Sequence, residues 1–480
     1  MDVVLKGSII KGVAWSSLDR FLSQGIQFIF GVLIARLLTP DDYGVVAILN
    51  VFVAIFQTFV DSGLARALVR KESCSEEDFS TVFFYNIIVS VIAYSILWIV
   101  APVISDFYNN ESLTLLIRII SITLVVSSLS GVHDAKLSIN LDFKRKAIIS
   151  IITILINGTI VLLLAYSGYG VWALVIQSIL NGLLRTVLLW IFVNWKPRLV
   201  FSTTSFCDLF SFGSKILGSS LVDTIYNNIY TLVIGRCFSP RMLGLYSKAN
   251  TLSQFIACNI TNVFTSVSYP AFSKIQHDEQ LLSEANKKYI RLSSFVIFPL
   301  MIGLIILAEP LITVLLKDKW LNVVPFMQIL CVEWILYPIH AINLNLLWVK
   351  GHSDYYLKLE FIRKFMSIIV LLVTVRYGVE AMCYGRVFTS IIGLIINTYY
   401  SKKLINYSLF AQIKDVIPIL LHSVIMGFVV FLSTRQIEIS LVKLLVGVLV
   451  GSSYYLIIAQ MLSMREFLWL KTTIFQLLKR

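Results

Sequence analysis

Charge is scarce in this chain of 480 residues. Asp, Glu, Lys and Arg supply 14% of it and apolar residues 58%, against about 25% and 45–50% in a soluble domain. With a mean hydropathy of +0.84, there is too little polar side chain to clothe a water-soluble globule, and a polytopic membrane protein is expected. Acidic residues are scarcer than basic ones, 27 against 40, for a net charge of +13. The lysines and arginines are scattered between apolar runs, not gathered on one amphipathic face, which excludes a nucleic-acid partner. Cysteine is sparse too: the six, at 74, 207, 237, 258, 331 and 383, form no CxxC pair and no even spacing. Zinc sites and disulfide frameworks are thereby excluded, and free, mostly buried thiols are expected. Five dispersed histidines (133, 277, 340, 352, 422) and the lack of any long outer loop argue against a membrane glycosyltransferase or polymerase. No enzyme activity, metal or cofactor is expected. The start, MDVVLKGSIIKGVAW, is followed by Asp19, Arg20, Gln24 and Gln27 without a small-residue cleavage site, so it reads as a retained first span.

What the chain does have is a succession of apolar stretches long enough to cross hydrocarbon as helix, about 20 residues each. Their cores fall at 12–38, 43–65, 80–104, 113–132, 147–166, 170–193, 209–235, 243–269, 289–309, 322–348, 356–376, 379–400, 413–433 and 441–462. That is about fourteen spans, with the hairpins at SGYG (167–170) and RYGVE (376–380) the tightest. With a cytoplasmic N-terminus, inner loops and termini hold about 26 of the 40 Lys and Arg and outer loops about 6. The expectation is a bacterial inner-membrane protein with both termini cytoplasmic. KLSINLDFKRK (136–146) and HDEQLLSEANKKYIR (277–291) are read as inner loops; Lys317 and Lys319 break the charge rule.

Residues 34–44, IARLLTPDDYG, return as IGRCFSPRMLG at 234–244, an offset of 200 from Arg36 to Arg236. Six spans lie between the copies, so both run the same way across the membrane and the duplication is parallel. Thr39 and Ser239 suit helix N-caps, Pro40 and Pro240 the first turn, and Asp41 and Asp42 the N-terminal dipole. Arg36 and Arg236 sit where a preceding helix closes, as structural charges or as substrate contacts. The organisation expected is all-α and integral to the membrane: a six-helix lobe over 1–208, a second over 209–408, two further helices over 409–462, a basic amphipathic cytoplasmic tail over 463–480, and a central cavity between the lobes.

Ionisable groups inside a span cost about 2.5–3.5 kcal/mol each on insertion scales and normally face water or a partner. In the first span Ser16, Asp19, Arg20, Ser23 and Gln27 recur at helical steps; in the seventh, Lys215, Ser219, Asp223, Tyr226, Asn227 and Tyr230 do the same. The stripes occupy equivalent places in the repeat, which favours lining of a cavity over mere packing between helices. In the tenth span Glu333, Tyr337, His340 and Asn343 share one stripe, broken by Pro325 and Pro338. Glu333 and His340 could carry protons for a driving gradient; the alternative is a satisfied polar tie between helices. Asp61 and Arg66 read as interfacial, and Arg118, Arg185, Lys248 and Arg386 are ambiguous singly.

Three stretches, SSLDRFLSQGIQFIFGVLIARLLTPDDYGVVAI (16–48), FVDSGLARALVRKE (59–72) and LVIGRCFSPRMLGLYSKA (232–249), resemble polysaccharide flippases of the Wzx type. These belong to the multidrug/oligosaccharidyl-lipid/polysaccharide exporter superfamily. The resemblance implies a two-lobed, fourteen-helix transporter moving a polyprenyl-diphosphate-linked oligosaccharide outward for lipopolysaccharide, capsule or exopolysaccharide assembly, with membrane lipids and polysaccharide assembly proteins as partners. It also implies cations in the cavity, and Arg20 and Lys215 are the matching candidates, with Asn, Gln, Tyr and Ser for the sugar. Asp19 and Asp223 depart from that pattern, since they oppose the cationic field. An ion-coupled multidrug exporter of the same superfamily is therefore the alternative.

Overall fold

The computed structural model describes residues 22–71 and 73–478, with side chains described as far as Thr472. Helix follows helix, because nothing but an internally hydrogen-bonded backbone crosses hydrocarbon cheaply. The chain forms two compact units, Met1–Gly244 and Leu245–Arg480.

In the first unit the order is α1 (Leu22–Leu37), α2 (Pro40–Asp61), α3 (Leu64–Arg70), α4 (Glu76–Tyr108), α5 (Ser112–Ile120), α6 (Ile122–Ser128), α7 (Gly131–Ile139), α8 (Phe143–Tyr166), α9 (Val171–Phe192) and α10 (Thr203–Cys237). α11 (Pro240–Lys274) carries the chain onward. The expected fourth span is built from α5, α6 and α7, broken at Ser121 and Ser130, and α7 takes in the start of the inner loop expected at 136–146. The turn between α8 and α9 is closed by Gly168 and Gly170, both at positive φ.

The second unit continues with α12 (Glu279–Ile306), α13 (Ala308–Leu316), a 3₁₀ turn at Asp318–Val323, α14 (Val324–Ile335), α15 (Tyr337–Val349), α16 (Ser353–Thr374), α17 (Val379–Ile405), α18 (Leu409–Thr434), α19 (Ser440–Met461) and α20 (Arg465–Leu478). α12 starts inside the stretch expected as an inner loop at 277–291. Asp278 caps it, accepting from Leu281 N at 2.9 Å, so the charges of that stretch ride on a helix. Pro338 stands at the start of α15, and the tenth span is accordingly two helices meeting at Leu336. Lys317 precedes, and Lys319 lies within, a 3₁₀ turn whose Trp320 is fully buried. α20 forms where the amphipathic tail is expected; Lys479 and Arg480 lie outside the described residues.

Ten segments among the described residues are long and apolar enough to cross a membrane, and the protein is a multi-pass membrane protein. The other four expected spans coincide with α1, α10, α11 and α16, which are too short or too polar to meet that measure of apolarity. Large side chains such as Ile99 and Val103 on α4, Phe361 and Phe365 on α16 and Phe428 on α18 are exposed, as helices bathed in lipid allow. All six cysteines are free, but only Cys331 and Cys383 are buried, while Cys207 and Cys237 are exposed. That corrects the expectation of mostly buried thiols: Cys207 and Cys237 sit on α10, whose surface is largely open.

Candidate functional site

The repeated turn is built as its residues suggest. Thr39 caps α2, its hydroxyl accepting from Asp42 N at 3.3 Å while the Asp42 carboxylate accepts from Thr39 N at 2.9 Å. Ser239 accepts from Met242 N at 3.3 Å in the second copy. The two copies meet. A Cβ on Gly44 would fall 1.8 Å from the Pro240 carbonyl oxygen, and one on Gly244 would fall 1.8 Å from the Pro40 carbonyl oxygen. The contact is reciprocal, and only hydrogen fits at either position. Arg236 stacks on Phe107, with its guanidinium 4.9 Å from the ring centroid.

Downstream of this contact α2 runs antiparallel along α10. Thr58 and Thr224 share a hydroxyl hydrogen bond of 3.1 Å. At the far end a Cβ on Gly63, at φ +71°, would fall 2.7 Å from Gly213 O, and one on Gly213 would fall 2.8 Å from Ser62 O. Backbone thus meets backbone at both ends of the α2–α10 seam.

α10 has a second face that this seam does not cover. Lys215, Ser219, Asp223 and Asn227 are all exposed along it, Tyr226 is half-buried, and Tyr230 is buried. α10 is too polar to count among the apolar spans; where such a helix lies at membrane depth, a face with a lysine, an aspartate and an asparagine turns toward water, another protein surface or a polar ligand. Gln27 is likewise exposed on α1, while Ser23 on the same helix is buried and lies 3.2 Å from the Ser150 hydroxyl. Asp19 and Arg20 lie outside the described residues.

Polar groups elsewhere are turned inward and tied. Arg386 holds Glu333, donating to Oε1 at 3.0 Å with its Nε 2.9 Å from Oε2, and also donates to Tyr246 at 2.6 Å and Asn250 at 2.8 Å. His340 is buried between Ser390 (3.1 Å) and Asn397 (3.0 Å). Asn343 donates to Gln412 at 2.9 Å and accepts from Ser401 at 3.0 Å. The structure therefore places Glu333 and His340 in two separate networks. Of the ambiguous cations, Arg118 stacks on Trp98 at 3.9 Å, Arg185 pairs with Asp134 at 2.8 Å, and Lys248 lies 5.9 Å from the Trp320 ring centroid. Asp61 accepts from Gln57 at 2.8 Å. Outside the spans, the hydrogen bond from Lys71 to Asp78, 2.7 Å long, holds that ammonium above the usual lysine range. Among the described residues no three His, Cys, Asp or Glu gather where they could hold a metal ion.

Sequence reasoning missed an ion cluster in the first unit. Asp134 on α7 bridges Arg185 on α9 and Lys146 on α8, the latter at 3.0 Å, beside a cavity of about 170 Å³ lined also by Ser150. The three residues lie on three helices, and singly Asp134 and Lys146 read as charges beyond a span end and Arg185 as ambiguous.

The sequence profile described as "Polysaccharide biosynthesis protein" matches residues 33–325, which include both copies of the turn and all of α10. The chain belongs to the polysaccharide biosynthesis protein family. It is 26% identical over 457 residues, 93% of its length and 94% of the relative's, to the teichuronic acid biosynthesis protein TuaB of Bacillus subtilis. It is 24% identical over 411 residues, covering 85% of this chain and 84% of the relative, to the lipopolysaccharide biosynthesis protein WzxC of Escherichia coli. In fold it resembles the lipid II flippase MurJ in an inward closed conformation, with a TM-score of 0.75 and 16% identity over 93% of this chain and 99% of that one. A multidrug resistance MATE transporter in an inward-facing conformation superposes at a TM-score of 0.62 with 15% identity, covering 80% and 98%. This family member therefore has the all-α membrane fold of MurJ and MATE transporters.

Proposed function

We propose that this family member is a flippase, carrying polyprenyl-diphosphate-linked oligosaccharide units across the bacterial inner membrane by alternating access, without acting as an enzyme. The observation that carries the reading is the exposed polar face of α10, with Lys215, Ser219, Asp223 and Asn227 at helical steps on a helix that coincides with the expected seventh span. A diphosphate leaving water for a low-dielectric path needs a fixed cation, supplied by Lys215 and, in the expected first span, by Arg20; hydroxyls and amides suit the sugar. Gln27, Tyr226 and Asn227 are the sugar-contacting candidates. The parallel lobes over 1–208 and 209–408, the fourteen spans, the central cavity and the cytoplasmic termini belong to the same proposal, as does docking with polysaccharide assembly proteins. For Glu333 and His340 the contacts with Arg386, Ser390 and Asn397 favour ties between helices over proton carriage.

Asp223 on the same face favours a second reading, an ion-coupled exporter of cationic drugs. The two are separated by sign. Lys215→Ala is expected to abolish glycan export with the protein still in the membrane, while Lys215→Arg, which keeps the charge, retains more activity. Normal export from Arg20→Ala and Lys215→Ala, together with loss of cationic dye extrusion in Asp19→Asn or Asp223→Asn, would hand the assignment to the drug exporter.

A further inference from the structure

A second charged pocket, of about 440 Å³, opens in the second unit between the start of α12 and the tail helix α20. Glu284, Lys287, Lys288 and Arg291 line it at three- and four-residue steps along α12, and Arg465, Glu466 and Trp469 line it from α20. Four cations thus face two carboxylates. Arg291 is held by Glu466 and Lys287 by Asp415 at 3.1 Å. Lys288 stands 4.4 Å from the Trp469 ring centroid, and among the described residues neither it nor Arg465 has a carboxylate within ion-pair distance. The Glu466 side chain is only 3% exposed, and its Oε2 has no hydrogen-bond donor in the structure. A buried carboxylate oxygen without a donor costs about 1–3 kcal/mol or more. The pocket therefore offers two open cations for an anion and one acceptor that a donor would satisfy.

Location narrows the ligand. α20 begins four residues after α19, a candidate span, ends at Met461, so the pocket lies at the edge of the membrane, with Leu468 and Trp469 exposed beside it. We propose that this pocket binds the headgroup of a membrane glycerophospholipid, its phosphate on Lys288 and Arg465 and a hydrogen-bond donor of the headgroup on Glu466. That chemistry selects ethanolamine or glycerol headgroups over choline, which carries a phosphate but no donor.

The test is native mass spectrometry of the intact protein in detergent, titrated with phosphatidylethanolamine, phosphatidylglycerol and phosphatidylcholine. Ethanolamine and glycerol lipids should bind at least about tenfold more tightly than choline lipid. Lys288→Ala combined with Arg465→Ala should weaken both by about tenfold, and Glu466→Gln should shrink the preference over choline lipid to about twofold. Lys288→Gln alone replaces the double variant should that fail to fold. A wild-type protein that binds choline lipid equally well, or cation variants that bind all three lipids unchanged, would overturn the proposal. So would full displacement of the lipid by inorganic phosphate, which would make this a site for soluble anions.

Discussion

Two regions of the molecule show two means of packing helices in lipid. Where α2 meets α10 in the first unit, glycines bring backbone against backbone: Gly44 and Gly244 at the repeated turns, Gly63 and Gly213 at the other end. In the second unit α14, α15, α17 and α18 are joined by side chains, through Arg386–Glu333, His340–Asn397 and Asn343–Gln412. Lipid tails are as apolar as leucine, so no hydrophobic gain separates a helix pair from a helix in lipid, and what remains is close approach or polar ties. Close approach depends on shape and tolerates no added atom. Polar ties tolerate changes of shape but not the loss of one partner.

Breaking the ion pair should give the largest effect. Arg386→Ala strands the Glu333 carboxylate, whose side chain is 19% exposed, beside Tyr246 and Asn250, and should cost about 3–5 kcal/mol. Equilibrium unfolding in mixed micelles measures it, and Arg386→Met with Glu333→Leu should recover most of the loss. A single-variant loss below about 1 kcal/mol would mean that the pair contributes no more than a surface salt bridge.

Gly44→Ala comes next. The new methyl meets the Pro240 carbonyl, which is backbone and cannot swing aside, so a loss of about 1–3 kcal/mol or more is expected. Gly244→Ala should match it, and the double variant should cost less than the sum because one displacement relieves both clashes. Strict additivity in a double-mutant cycle would show that the two turns do not share a contact.

Asn343→Ala should lose about 0.6–1.7 kcal/mol, the range for hydrogen bonds between membrane helices, and the same loss should follow in a Gln412→Ala background only if the pair is uncoupled. Smallest is Gly25→Ala on α1. Nothing lies within 4 Å of the added Cβ, so the change should be neutral or stabilise by up to about 1 kcal/mol through helix propensity. A destabilisation comparable to that of Gly44→Ala would contradict the shape argument.

Legibility differed by the range of the signal. The helix starts at Thr39 and Ser239 were readable because a cap is written within four residues. The breaks at Pro338 and in the SGYG turn were readable for the same reason. The inner loop expected over 277–291 proved to be mostly helix, because charge in that stretch reports distance from hydrocarbon and says little of backbone conformation. Polarity alone could not sort Lys215 from Arg386: both are cations within expected spans, yet one is exposed and the other is bound by Glu333, Tyr246 and Asn250. The Asp134–Lys146–Arg185 cluster was invisible because its members lie on three helices.

Composition and periodicity by themselves determined that this is an all-helical membrane protein with a duplicated turn, since burial of backbone polar groups in lipid leaves few structures open and a repeat is read residue by residue. Tertiary structure decided what the duplication is for locally, two turns interlocked through Gly44 and Gly244, and which polar stripe is buried in helix ties and which has exposed residues. Those outcomes depend on the rotation of each helix against its neighbours, and a helix's own sequence sets its polar face without setting what that face meets.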